Sequence, residues 1–243
     1  MIKSVLAAFS FLTIIPVRSS KITERDLASA PAWFPLAGFF IGAVCMGAAY
    51  LLQGRVAPQL GAFFILLILV AITGGLHIDG LADWADSLAG KDREHKLRIM
   101  KDAHHGSYGL IAIVLLLLGK FIALSLVLEQ GTLIILFVAP GLSRFSMNLI
   151  LAFTDYARRE GGAGSLFAKT RQQWHWAVAA IFAIAALFLL PWTLAFAGAA
   201  IVLAASFSFR RHGMRRLGGF TGDLLGACCE SCELALLLLA AIL

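Results

Sequence analysis

The chain has 243 residues, 60% of them apolar and 14% charged, with 20 lysines and arginines against 14 aspartates and glutamates for a net charge of +6. Such a composition excludes a soluble domain of this length and leaves an integral membrane protein. The positive excess comes with no nucleic-acid-binding motif, so no nucleic acid is expected among the partners.

The first apolar run, Val5 to Val17, is too short to cross a bilayer and is predicted to be an N-terminal interfacial or re-entrant segment. A cleaved signal is argued against by charge: only Lys3 precedes the run, whereas Arg18, Lys21 and Arg25 follow it. A span needs about 20 mostly apolar residues, and by that measure about seven transmembrane helices follow, near 33–52, 57–75, 107–128, 132–153, 174–190, 192–208 and 224–243. The expected fold is therefore an all-α polytopic membrane protein, a single catalytic domain over 1–243.

Lysine and arginine fall in four places: the N-terminal segment; the loop with Lys91, Arg93, Lys96, Arg98 and Lys101; the loop with Arg158, Arg159, Lys169 and Arg171; and the loop with Arg210, Arg211, Arg215 and Arg216. With seven spans all four lie on one side, and the other side holds only Arg55. The positive-inside rule puts the N-terminus and these loops in the cytoplasm and the C-terminus outside. Cys45, Cys228, Cys229 and Cys232 lie within predicted spans and read as packing residues.

Between the second and third spans, Gly74 to Gly109 holds Asp79, Asp83, Asp86, Asp92, Glu94 and Asp102, close to half of all the carboxylates. On a helix, steps of about 100° per residue place Asp83 roughly 40° and Asp86 roughly 20° from Asp79. Three carboxylates on one face repel unless something positive lies among them. A solvated acidic helix end is the plain alternative, but no lysine interleaves between Asp79 and Gly90. The pattern suits a hard divalent cation, magnesium (Mg2+), which takes a few carboxylate oxygens and completes its shell from phosphate and water.

Lys120 and Arg144 stand near the middle of predicted spans, where a charge requires a polar cavity or a partner. Glu230 and Glu233 on the last span are available as structural partners; a contact of Lys120 and Arg144 with anionic substrate is the other reading. The last span opens on Gly218-Gly219-Phe220-Thr221-Gly222-Asp223, with Gly226 one turn on. Its glycines leave backbone N–H groups free for a phosphate at a helix start, and Gly222 with Gly226 has the small-x-x-x-small spacing of a helix seam. A bare packing seam with Asp223 as N-cap is the alternative. Asp155-Tyr156-Ala157-Arg158 and the glycines at 161, 162 and 164 add a third loop, with arginine suited to bidentate phosphate contact.

Taken together, His77-x-Asp79-Gly80-x-x-Asp83-x-x-Asp86, Ile99-Met100-Lys101-Asp102, Gly106-x-Tyr108-Gly109 and Gly218-Gly219-x-Thr221-Gly222-Asp223-x-x-Gly226 with Glu230 resemble the signature of the cobalamin synthase family, the adenosylcobinamide-GDP ribazoletransferases. Phe11-Leu12-Thr13, Ile15-Pro16, Phe34-Pro35-Leu36 and Tyr156-Ala157-Arg158 keep the family's order along most of the chain. Ile14 stands where the family often has arginine. The resemblance implies adenosylcobinamide-GDP and α-ribazole or its 5′-phosphate as substrates, with GMP leaving. Asp79, Asp83, Asp86 and Asp223 would be the magnesium ligands and His77 or Asp102 the base. Lys101, Tyr108, Arg144, Arg158, Gly219, Gly222 and Glu230 would bind substrate, and membrane lipid and a possible homodimer complete the expected partners.

Three other readings of the residues stay open at this stage. An intramembrane prenyltransferase would need a second aspartate-rich loop, a CDP-alcohol phosphotransferase an Asp-Gly-x-x-Ala-Arg core that Leu81-Ala82-Asp83-Trp84 replaces, and a permease is supported only by Lys120, Arg144 and Glu230.

Overall fold

Inside lipid every backbone N–H and C=O must be satisfied within the segment, so the long apolar runs become helices. A computed structural model describes residues 1–16, 22–158, 163–168 and 173–243. Val17, Arg18, Lys21, Arg159, Glu160, Gly161, Gly162, Lys169 and Arg171 lie outside the described residues. The helices are α1 (Ile2–Leu12), α2 (Glu24–Ala28), α3 (Phe34–Leu52), α4 (Pro58–Thr73), α5 (Leu76–Ser87), α6 (Arg93–Ile99), α7 (Ser107–Gln130), α8 (Ile134–Phe153), α9 (Ala163–Ala168), α10 (Gln173–Leu187), α11 (Trp192–His212) and α12 (Gly222–Ile242). A 3₁₀ turn at Ala30–Trp33 leads into α3, and a π turn at Gly213–Leu217 prolongs α11.

The protein is an all-α polytopic membrane protein, with a different division of spans from the one composition suggests. Five stretches are long and apolar enough to cross a membrane: Ala30–Leu52, Ser107–Gln130, Ile134–Phe153, Trp192–Leu217 and Gly222–Ile242. The expected span near 57–75 is α4, which stops at Thr73; α5 then leaves at 86° to it. Gly74 and Gly75 make that break, with φ of 62° and 70°, left-handed values that cost a residue with a Cβ about 1–2 kcal/mol each. The expected span near 174–190 is α10, only 15 residues long, because Pro191 bars the preceding residues from continuing the helix. Seven spans therefore become five of full length, one bent pair and one short apolar helix.

The N-terminal run is a short apolar helix that packs on the bundle. Ala7 and Ala8 are wholly buried, and the Ile14 N–H donates to Ile72 O at 2.9 Å, which ties the end of α1 to the end of α4. α3 lies along α8, and α12 runs through the centre, touching α5, α7, α8 and α11. A single apolar core of α3, α4, α7, α8, α10, α11 and α12 residues fills one end, around Ile41, Ile65, Leu124, Ile135 and Leu236. A second, around Phe34, Ile150, Leu217 and Phe220, lies under the loops that carry the motifs.

Between those cores Lys120, Arg144, Glu230 and Glu233 form a network from α7, α8 and α12. Lys120 Nζ donates to Glu230 Oε2 and Glu233 Oε1, each at 2.6 Å, and Arg144 donates to Glu233 and, at 3.0 Å, to Ser143 Oγ. All four side chains are buried. Two positive and two negative charges cancel, so the group is neutral as a whole. Arg144 and Glu230 thus take the structural-partner reading here, and neither lines the cavity described below.

Candidate active site

The site begins with the crossing of α5 and α12. Gly80 and Gly226 let the two helices touch at the backbone: a Cβ at Gly80 would lie 3.1 Å from Asp223 Cα, and one at Gly226 3.1 Å from His77 O. The glycine seam read from the sequence is thus Gly226 against Gly80 within one chain, and Gly222 faces open space. The crossing sets the start of α5, with Asp79, beside the start of α12, with Asp223.

A third element is clamped to the same place. Ala157 N–H donates to Phe220 O and Phe220 N–H to Asp155 O, both at 2.8 Å, so residues 155–157 pair with the Gly218–Thr221 segment as a single bridge of extended backbone. Arg93 reinforces the clamp from α6, donating from Nε to Leu217 O at 2.7 Å and from Nη2 to Ala157 O at 2.8 Å. Arg158 is thereby held over Asp223, with Nη2 to Oδ2 at 2.8 Å, while its buried Nε has no hydrogen-bond partner. Thr221 is the N-cap of α12, accepting from Leu224 N–H at 3.1 Å, so the side chain of Asp223 is released from the capping role the sequence had offered it.

These elements enclose a cavity of about 210 Å³ whose lining includes His77, Asp79, Gly80, Arg158, Gly222 and Asp223. Of the residues singled out from the sequence, those two motifs and Arg158 come together; several others do not. Lys101, Asp102 and Tyr108 are exposed and outside the lining, and Gly219 is packed against Asp155 O. Asp102 is engaged by its neighbour: His104 Nδ1 and the His104 N–H both reach Asp102 Oδ1, and these contacts hold its carboxyl below the ordinary carboxylate range. It stands away from the cavity, out of reach of a proton released there.

The three aspartates of α5 diverge in depth. Asp79 is 63% exposed and Asp83 15%, and the ring of His105 stands between them, each of its nitrogens 3.5 Å from one carboxylate. Asp86 is buried and serves another helix: it accepts from Gly106 N–H at 2.7 Å and from Gly109 N–H at 2.9 Å, capping α7. An anion is well placed at a helix start, where the amides are unpaired. The expected set of four metal ligands is accordingly not assembled; among the described residues no three His, Cys, Asp or Glu side chains converge as a metal site. What remains is an oxygen-donor pair, Asp79 and Asp83, with a cationic or polar group facing it. That donor set fits magnesium, which usually takes one or two carboxylates and fills its shell from phosphate and water. The expected outcome for Asp86→Ala is a stability loss of about 1–3 kcal/mol with turnover per folded molecule nearly unchanged; a loss of turnover by orders of magnitude at equal folded fraction would return Asp86 to the chemistry.

Sequence reading gave no site role to His105 or Arg93, nor to the apolar lining from Phe11, Phe34, Met147, Phe167 and Leu225, although Phe11 and Phe34 fall in motifs of the family. His105 could have been found from its place at the close of the acidic stretch. Arg93 counted only as a loop charge, and nothing in the spacing of the aromatics marks them as one wall.

The fold and this cavity define an integral membrane protein whose charged site is built at the helix ends from two motifs more than a hundred residues apart. Residues 4–241 match the cobalamin-5-phosphate synthase family, and the chain belongs to that family. It is 40% identical to the adenosylcobinamide-GDP ribazoletransferase of Pseudomonas paraeruginosa, over 99% of this chain and 98% of that one. Proteins of the same name from Syntrophobacter fumaroxidans (39% identical, 96% of each chain) and Chlorobaculum parvum (35%, 100% of this chain and 96% of that one) are also similar to it. No solved structure matches.

Proposed function

We infer that this chain transfers the cobinamide-phosphate moiety of adenosylcobinamide-GDP to α-ribazole or its 5′-phosphate. The ribose 3′-oxygen bonds to the phosphorus on the cobinamide arm, the bond from that phosphorus to the GMP oxygen breaks, and the hydroxyl proton passes to a base. The products are adenosylcobalamin or its 5′-phosphate and GMP. Whole-length similarity to ribazoletransferases supports the reaction, and the observation that carries it into the structure is the meeting of Asp79, Arg158 and Asp223 around one cavity.

Each residue then has a task. Arg158, paired with Asp223 at 2.8 Å, presents a guanidinium that can turn to phosphate oxygens. Asp223 orients that arginine and faces the acceptor. His77 is 5% exposed, lines the cavity and has an unpartnered Nδ1, which makes it the base of choice over Asp102. Magnesium held at Asp79 and Asp83 would neutralise charge on the pyrophosphate and the leaving GMP.

The cavity lies at the end of the bundle that carries Arg93, Arg158, Arg210, Arg211, Arg215 and Arg216, with Arg55 at the other end. We take this as the cytoplasmic end, in a bacterial inner membrane, with the C-terminus outside. The test is purified protein in lipid vesicles with both substrates and magnesium, read as GMP release. GMP is expected only with both substrates present and is lost on chelation. Absence of GMP with both substrates and magnesium sinks the reaction, and persistence after chelation sinks the metal alone.

A further inference from the structure

The lining of the cavity has an apolar part besides its charged groups. Phe11 of α1, Phe34 of α3, Met147 of α8 and Phe167 of α9 belong to it. Their rings interlock: Phe11 and Phe34 stack with centroids 6.0 Å apart and planes 9° apart, while Phe167 meets Phe11 at 5.0 Å and Phe34 at 5.5 Å edge to face. Phe34, Met147 and Phe167 are 1%, 2% and 4% exposed and so back the wall, while the half-buried Phe11 is the ring with a face left free. Four elements distant in sequence contribute one side chain each, and none of these side chains has a hydrogen-bonding group.

Resting on the reaction inferred above, two flat heteroaromatic bases are candidates for such a wall: that of the nucleoside acceptor and the guanine of the donor. Guanine carries donors and acceptors along its edge, and each left unmatched against Phe and Met costs a full desolvation. The base of α-ribazole is an alkylated benzimidazole, apolar around its rim and well matched to aromatic faces. Size does not separate the two nucleosides, which are alike in bulk, but about 210 Å³, below the roughly 300–1,000 Å³ of pockets that enclose drug-sized ligands, is far too small for a corrinoid. Exposure gives the direction, since Asp79 is 63% exposed at the mouth and Arg158 and Asp223 are 16% and 20% exposed further in.

We propose that Phe11, held in place by Phe34, Phe167 and Met147, forms the seat of the acceptor's base, so that the enclosed cavity takes the α-ribazole nucleoside while the corrinoid and the GDP group engage from the mouth at Asp79. The base lies against the aromatic wall and the ribose points toward Asp79 and Asp223. These aromatics position and select the acceptor and take no part in bond making.

The test varies each substrate separately in the GMP-release assay. Phe11→Ala and Phe167→Ala are expected to raise KM for α-ribazole about tenfold or more, the scale of a lost base–aromatic stack, with KM for adenosylcobinamide-GDP within about twofold of wild type. A rise confined to adenosylcobinamide-GDP would seat guanine there and overturn the proposal, and no change in either KM would leave the wall as mere scaffold and overturn it equally. Phe11→Leu and Phe167→Leu guard against misfolding. On the unaltered protein, free benzimidazole should compete with α-ribazole and leave the donor's KM alone, and guanosine should not compete with α-ribazole; the reverse pattern refutes the seat. Wild-type protein that binds α-ribazole, by calorimetry in lipid, yet releases no GMP would sink the reaction and leave the seat standing.

Discussion

Asp79→Asn is expected to cut GMP release by about 10²–10³-fold or more while the protein melts as wild type does. The side chain is 63% exposed and its contact with the His105 ring, at 3.5 Å, lies at the surface, so removing its charge costs the fold little. The same carboxylate sits at the mouth of the cavity, where the pyrophosphate must be neutralised, so removing it costs the reaction a great deal. Asp223→Ala should be nearly as damaging, since it frees Arg158 from its only carboxylate among the described residues. If the two motifs act on one pyrophosphate, the double variant loses much less than the product of the two single losses. Independent, multiplying losses would separate the motifs. Because Thr221 holds the cap, Asp223→Ser is expected to lose turnover without losing the helix; near-normal turnover in it would confine the chemistry to α5.

The second large effect is on stability. Glu233→Leu removes the carboxylate that accepts from both Lys120 and Arg144 and leaves a net positive charge at a buried site; the expected cost is about 3–5 kcal/mol, read as thermal unfolding in lipid. Adding Arg144→Met restores neutrality, because Lys120 keeps Glu230, and should recover most of that loss. Neither change should alter the KM of either substrate in the folded fraction, because the network does not line the cavity. A selective rise in a substrate KM in Arg144→Met would reinstate the arginine as a substrate contact.

The amino-acid sequence by itself determined the membrane class, the helical fold, the family and the two charged motifs. Each of these rests on local chemistry: apolar runs of about 20 residues have one low-energy form in lipid, and the motifs are contiguous. It also located the aspartates and Arg158, because carboxylates and arginines in so apolar a chain stand out. What the tertiary structure decided was how each charge is spent. Asp86 and Asp79 are seven residues apart on one helix and were indistinguishable by spacing, yet α7 begins beside one and a cavity opens beside the other. Arg144 and Arg158 are both arginines near motif residues; only the packing of α7, α8 and α12 neutralises the first and only the clamp between residues 155–157 and Phe220 carries the second to Asp223. The bend at Gly74 and Gly75 was hidden because hydropathy continues evenly through a glycine pair, whereas the left-handed φ that turns the chain is chosen by what α5 packs against. The aromatic wall escaped for the same reason: Phe11, Phe34 and Phe167 are single side chains on three helices, and long-range contact is a property of the fold that no local spacing encodes.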